Sequence, residues 1–337
     1  TIGIPKDKLD KEVILRVLSK MINASKGLTS IDDRNHVGFL RLHGLEDALR
    51  EAIYRNRYPL RKFFNRVRAR RSVDYWPAGV FDKAVAHSIY ASGLGQSLQE
   101  INPLEILNNR YRVTRLGEGG IASLDSVSDD VRELHPSHAN FIDPLLTPEG
   151  ENVGVDNRLV SGIVRDDKGN IYNKFYSPKE GKEVWLNPRQ IFGKIITFPG
   201  ELESGKPYVR ALLNNQHILV SPKKVDYVIP RSSQLFSPLS NLVPLKQNAY
   251  GQRVSMGARM LAQAVPLTTA EAPLVRNMDE NTGVDYDTLV GTQFILTKAP
   301  VDGVVKQVRK DSIVLQGNDG ETYRIPYYQY FPFNQKT

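Results

Sequence analysis

Histidines, carboxylates and backbone-permissive glycines crowd into two neighbouring stretches, His135-Pro-Ser-His138 and Leu146-Thr-Pro-Glu-Gly-Glu-Asn-Val-Gly154. Segments this rich in turn residues and polar side chains run along the wall of a site, because they cannot fill a core. A His-x-x-His pair can hold zinc from one face, but it needs a third ligand and a supporting carboxylate. The chain has no cysteine to supply one, and hydrogen-bonded structural histidines are the competing reading. Asp129, Asp130 and Glu149 are isolated along the chain, whereas two-metal phosphoryl transfer needs several carboxylates converging on Mg²⁺. No metal site and no catalysis by this chain alone are expected.

Phosphate chemistry is the better match. Gly117-Glu118-Gly119-Gly120 permits sharp turns and close approach of backbone to a phosphate, although no Gly-Lys-Ser/Thr follows to make a nucleotide-binding P-loop. Arg110, Arg112 and Arg115 precede it and Arg132 follows, so a mobile loop flanked by phosphate-seeking groups is expected. Arg253 and Arg259 stand among small residues, where a guanidinium can be offered bidentately to a phosphate or base. Taken singly, each of these would also serve as an ordinary surface arginine.

The elements that must position these residues read as α+β. The first ninety residues are helical. Asp10 is placed to cap a helix with Val13, Ile14, Val17, Leu18 and Met21 at three- and four-residue spacing. A second helix runs from about Leu45, with Leu49, Ala52 and Ile53 on one side, until Pro59 ends or kinks it. A third fits Val80 to Ala91, with Val85 and Ile89 inward and Gly93 as its stop. From about Arg110 the helical period fades. Residues 159–235 alternate as strands, with a hairpin tip at Asp166-Asp-Lys-Gly-Asn170 and further strands at 207–213 and 217–220. A short amphipathic helix is expected over Arg253–Ala264. Strands return at 303–308, 312–316 and 322–325, with a turn at 318–320. The divisions expected are a helical part over 1–92, a site wall over 93–158, a β-rich part over 159–245 and a helix-plus-strand part over 246–337.

The 337 residues, 40% of them hydrophobic, can bury real cores. No run of about 18 apolar residues spans a membrane, and the opening Thr1-Ile-Gly-Ile-Pro-Lys6 lacks the order of a secretory signal. The absence of Met at its start points to a processed product or part of something longer. The absence of cysteine fits a reducing compartment. The net charge of +8 is moderate, but its distribution is uneven: nine Lys or Arg and a single acid, Glu51, lie between Arg50 and Arg71. Clustering of one sign is the footprint expected beside nucleic acid, against the alternative of a solvated helical face.

In order and spacing these blocks resemble the β subunit of bacterial-type, multi-subunit DNA-directed RNA polymerase. The resemblance is carried by Gln96, Asn102-Pro-Leu104 and Arg112-Val-Thr-Arg-Leu-Gly-Glu-Gly-Gly-Ile121. It continues through Val131-Arg-Glu-Leu-His-Pro-Ser-His138, Thr147 to Gly154, and Gln252 to Pro266. Weaker likeness reaches Asp32-Asp-Arg-Asn-His36 and Phe333-Asn-Gln-Lys-Thr337, so it spans nearly the whole chain. It implies an α+β fold combining a helical lobe and protrusion part, a fork region and a β-rich part. Gly117 to Arg132 would form the fork loop near DNA. Gln96, Arg112, Glu149, Asn152 and Gln263 would line the RNA path, and Arg253 would lie close to the phosphates of the incoming nucleotide. The implied partners are the DNA template, the RNA–DNA hybrid, the nucleoside triphosphate, the remaining β polypeptide and a β′-type subunit that holds the Mg²⁺. This chain itself would bind no cofactor.

Departures from the family pattern add two expectations. Positions that contact rifamycins in bacterial enzymes carry Ser97, Gln99, Asn109 and Thr114 here, which predicts resistance to rifampicin. An arginine of the late motif is Ala262, which removes one RNA-side contact. The two β lysines expected beyond Thr337 and the metal-holding Asp triad of β′ are not in this chain. A split β subunit of the giant-phage kind, or an excised segment, is therefore expected. Such a protein would work inside the cell or travel in a virion. The competing readings are a basic nucleic-acid-binding module without a part in polymerisation, and a structural virion protein reusing the fold.

Overall fold

The computed structural model describes residues 8–29, 31–75, 78–90, 102–117, 119–214, 216–265, 267–269, 271–280, 282–292 and 297–327. Its architecture is α+β: helices come first, then a mixed centre, and a separate small sheet lies at the end.

Helix α1 spans Lys11–Ser25, and Asp10 caps it by accepting from the Val13 amide at 2.9 Å. No residue of α1 is buried, and Ile14, Leu18 and Met21 face outward. Helix α2 (Leu45–Arg55) and helix α3 (Arg57–Arg70) are separated at Asn56. The break expected at Pro59 takes this form because the proline falls in the first turn of α3, where its missing N–H has no intrahelical partner to lose. Helix α4 covers Asp82–Tyr90. Here the expected inward face is corrected: Val85 and Ile89 are 39% and 48% exposed, while Ala84 and Ser88 are buried. The reason is close packing against α2, whose own buried residues include Ala48 and Ala52, so the contact is made by small side chains. The stop expected at Gly93 lies outside the described residues. An additional helix, α5 (Pro103–Arg110), begins with Pro103 in its first turn and with Asn102 accepting from the Leu104 amide at 2.9 Å.

Strand β1 (Arg112–Thr114) pairs antiparallel with β2 (Asp156–Arg158), and the one-turn helix α6 (Asp129–Arg132) lies between them in sequence. The β-rich part is a seven-stranded sheet of β3 (Val164–Arg165), β4 (Ile171–Ser177), β5 (Lys182–Leu186), β6 (Ile195–Thr197), β7 (Val209–Leu213), β8 (Gln216–Val220) and β9 (Tyr227–Val228). Pairing is antiparallel except between β6 and β9. The hairpin expected around 166–170 joins β3 to β4. Alternation along β4 buries Ile171, Asn173, Phe175 and Ser177 on one face, as a period of two requires. Phe175 meets Phe141, Ile142, Ile191, Ile196 and Ile229 in the main core. Full burial of each large side chain contributes roughly 2–3 kcal/mol.

A second core gathers Leu107 of α5, Leu146, and Leu239 and Leu242 of α7 (Pro238–Leu242). It also takes in Ala258 and Ala262 of α8 (Gly251–Gln263) and Val290 of α9 (Tyr286–Val290). Strands β10 (Gly303–Val308), β11 (Ser312–Gly317) and β12 (Thr322–Pro326) form the expected terminal antiparallel sheet. Among the described residues, no helix is long and apolar enough to cross a membrane.

Candidate nucleic-acid and nucleotide interface

The two motif blocks are brought together by the β1–β2 pair, in which Arg112 stands opposite Arg158 and Thr114 opposite Asp156. Arg112 donates to Asp156 Oδ2 at 2.7 Å. Beneath it Arg158 is buried, with Nε donating to Asn108 Oδ1 at 2.5 Å and Nη1 to the Asn157 carbonyl at 3.1 Å. Burial, reinforced by the Arg112 charge, pulls its pKa down to about 10. Arg158 therefore organises the wall from inside, while Arg112 is exposed and anchored on Asp156.

The glycine loop closes tightly on itself. Ile121 N–H donates to the Arg115 carbonyl at 2.8 Å, Gly117 N–H to Ile121 at 3.0 Å, and Gly120 N–H to Gly117 at 3.0 Å. Gly117 and Gly119 sit at φ 93° and 80°, where side chains with a Cβ are strained. A Cβ on Gly120 would stand 2.4 Å from the Arg115 carbonyl oxygen. Residues 119–121 line a cavity of about 740 Å³, together with Arg41, His43, Asn109, Arg112, Thr114 and others. Glu118 lies outside the described residues, as does Gln96.

Residues 147–156 form a second closed loop. Thr147 Oγ1 donates to the Asp156 carbonyl at 2.9 Å and accepts from the Gly154 amide at 2.8 Å. Arg132 reaches in from α6, with Nη1 donating to the carbonyls of Glu151 at 2.5 Å and Val153 at 3.0 Å. Gly154, at φ 71°, passes so close to Arg132 that a Cβ would lie 2.2 Å from its carbonyl oxygen. Asn152 is half-buried and its carbonyl accepts from the amides of Val155 and Asp156, whereas Glu149 is exposed at the loop tip.

Helix α8 docks under this loop. Its inward face is built of small residues, Val254, Ser255, Ala258 and Ala262, which let the backbone approach closely. Ser255 Oγ and Arg259 Nη2 both donate to the Thr147 carbonyl, and Arg259 Nη1 lies 3.8 Å from Glu149 Oε1. Asn102, at the start of α5, donates to the Leu261 and Ala264 carbonyls at 2.9 and 3.0 Å. Arg253 and Gln263 are exposed on the opposite side of α8 with Met260 between them. Their ten-residue separation is about 15 Å along the axis. Ala262 packs into the core, facing away from that surface.

Three of these arginines are engaged within the wall. Arg115 is half-buried, bonded to Asn35 Oδ1 at 3.4 Å and to His138 Nε2 at 3.3 Å. Arg132 and Arg259 spend their donors on loop carbonyls. These three tie separate segments of the wall together, because one guanidinium can satisfy several acceptors at once. Arg253 remains exposed; its Nη1 lies 4.0 Å from Met256 Sδ.

The histidines make a hydrogen-bonded staple. His135 Nε2–H donates to Asp33 at 2.7 Å, and His135 Nδ1 accepts from the Ser137 amide at 3.2 Å with Ser137 Oγ 2.6 Å away. The Val37 amide donates to the same hydroxyl at 3.0 Å. His138 is buried, and desolvation, with the positive charge of Arg115 second, drives its pKa down to about 3. Among the described residues no three His, Asp or Glu side chains converge as a metal site.

Sequence reasoning passed over two groups. Asp143 is buried and accepts from the Leu145 amide at 2.8 Å, the Ser237 amide at 2.7 Å and Ser240 Oγ at 2.6 Å. Lys246 is buried beside Asn241 Oδ1, under the rings of Phe236 and Tyr286 at 4.9 and 5.5 Å, and desolvation lowers its pKa to about 8. The run Ser237-Pro-Leu-Ser240 is the signal for the first, since it caps α7 beside Asp143. Lys246 carries no such signal.

Residues 96–161, which hold β1–β2 and the 147–156 loop, match the family model described as RNA polymerase Rpb2, domain 3. Similarity extends well beyond that domain. The chain is 30% identical to the DNA-directed RNA polymerase subunit beta of Acetivibrio thermocellus, over 99% of this chain and 28% of that protein. It is 27% identical to the same subunit of Synechococcus elongatus, over 98% of this chain and 31% of the relative. The chain is thus similar to RNA polymerase β subunits over nearly its whole length, and it spans under a third of the length of these relatives.

Proposed function

We propose that this chain forms one wall of the main channel of a DNA-dependent RNA polymerase, with Arg253 beside the phosphates of the incoming nucleotide. The observation that carries the reading is the docking of α8 on the Thr147–Gly154 loop through Ser255 and Arg259. It leaves Arg253, Gln263 and Glu149 exposed, while Arg132 and Arg259 bond to carbonyls of the loop. An arginine suits the role, since it stays charged at any relevant pH and stabilises charge on a transferring phosphoryl group. In this reading Gln96, Arg112, Glu149, Asn152 and Gln263 belong to the RNA side, and the loop Gly117–Gly120 with Arg132 behind it borders DNA at the fork. The hybrid is held through backbone and shape, because base pairing already carries the sequence information.

The carboxylates of the wall do not suit Mg²⁺: Asp156 is committed to Arg112, Asp143 to amides and a hydroxyl, and Glu149 faces Arg259. We therefore assign the metal to a β′-type partner. The remaining β polypeptide, template DNA, transcript and nucleoside triphosphate complete the assembly, inside the cell.

The test is elongation by the reconstituted enzyme at limiting nucleotide. Arg253→Ala should slow it by about tenfold or more, and Arg253→Lys should recover part of the loss. Elongation of the alanine variant at the parental rate would sink the assignment. The same run-off assay examines drug sensitivity: with Asn109 and Thr114 on the cavity wall, and Ser97 and Gln99 as the other departures, transcription should persist in micromolar rifampicin. Inhibition at that level would overturn the resistance reading.

A further inference from the structure

The surface of α3 carries a feature that the proposed channel wall does not use. In the basic run from Arg50 to Arg71, Arg50 pairs with Asp47 at 2.7 Å and Arg55 with Glu51 at 3.5 Å. Arg57, Arg61, Lys62, Arg66 and Arg68 make no ion pair with a carboxylate among the described residues. No residue of α3 is buried; its inward stripe is the half-buried Leu60, Phe63 and Val67. On a solvent-facing side Arg57, Arg61, Phe64 and Arg68 recur at intervals of four, three and four residues. That spacing puts them on one face, over about 16 Å of helix.

Aromatic rings are interleaved with these charges. Phe64 is 60% exposed, and Tyr54 and Tyr58 are 64% and 69% exposed. The Arg57 guanidinium sits 4.4 Å from the Tyr54 ring centroid and 5.0 Å from that of Tyr58. A large exposed ring in a row of unpaired cations is a poor arrangement for a merely soluble helix. It is a good one for a polyanion that also presents flat apolar faces. Duplex DNA offers phosphates but hides its bases in the stack. A single strand offers both.

We propose that this face of α3 binds single-stranded nucleic acid, with Arg57, Arg61 and Arg68 on phosphates and a base stacked on Phe64. Guanidiniums track the backbone, and ring stacking is tolerant of sequence because every base has a π-face. The inference rests on the α3 surface alone and stands whether or not Arg253 meets a nucleotide.

The experiment is fluorescence anisotropy of the chain with a labelled oligo(dT) strand of about twenty nucleotides, and with a duplex of the same length, across a salt series. The triple variant R57A/R61A/R68A should bind the single strand at least tenfold more weakly. Its log–log salt slope should fall by about 2, the sum of about 0.7 for each of three lost phosphate contacts. Phe64→Ala should weaken single-strand binding about fivefold and leave duplex binding unchanged. Because all four side chains are exposed, far-ultraviolet circular dichroism should be the same for every variant. A K223A/K224A variant, with charges removed elsewhere, should bind as the parent does. Unchanged single-strand affinity in the triple variant would overturn the proposal. So would equal losses on strand and duplex for Phe64→Ala, or a loss in K223A/K224A as large as that of the triple variant.

Discussion

Asp143→Ala is expected to lower folding stability by about 4 kcal/mol, read as a shift in the midpoint of chemical denaturation. The carboxylate is 2% exposed and receives two loop amides, the Ser237 amide and the Ser240 hydroxyl. Alanine leaves these donors buried with no acceptor, and each unsatisfied group carries its own desolvation penalty. Asp143 also helps Lys246 keep its proton in an apolar cage, opposing the burial that depresses the amine. Its loss should therefore push Lys246 further toward the neutral form. Asp143→Asn, which keeps one acceptor oxygen, should fall between the parent and alanine. Equal midpoints for the parent and Asp143→Ala would show that the loop and α7 do not depend on this group.

Acid should destabilise the chain through His138 at mildly acidic pH, where most carboxylates are still ionised. Its folded pKa, about 3, lies below the ordinary value of 6.5. Between those values the unfolded chain binds a proton that the folded chain refuses, so stability rises with pH across this window and is lost on acidification. From pH 7 to pH 4 the loss from this residue alone is about 3 kcal/mol. Asp33, held below its usual range despite burial by the Asn35 amide and His135, adds a loss of the same sign at lower pH. His138→Gln keeps an acceptor for Arg115 but carries no titratable ring. Denaturation midpoints measured at pH 7, 5.5 and 4 should fall much less steeply for this variant. Parallel pH profiles for parent and variant would remove His138 as the cause.

The elements most legible in the sequence are those whose pattern is local. Strand β4, the terminal hairpins and α8 all follow from period, turn residues and caps, each decided within a few residues. The inward face of α4 was not legible, since the winning contacts are Ala84 and Ser88 against the small residues of α2 rather than its larger apolar side chains. In the site, the motif positions could be read but their directions could not. Arg115, Arg132 and Arg259 look like phosphate ligands by type, yet each is recruited by carbonyls or a histidine brought near only by folding. Asp143 was missed for the same reason: a carboxylate reads as surface until the donors that surround it, nearly a hundred residues away, are in place.

The double duty of Thr147 has an evolutionary corollary. Its hydroxyl ties both ends of the following loop while its carbonyl receives Arg259 and Ser255. Inserting or deleting a residue between 148 and 153 would therefore slacken the loop and unseat the helix together, whereas exchanging the exposed Glu149 or Glu151 would leave the knot intact. Homologous lineages should consequently drift in the composition of this segment long before they drift in its length.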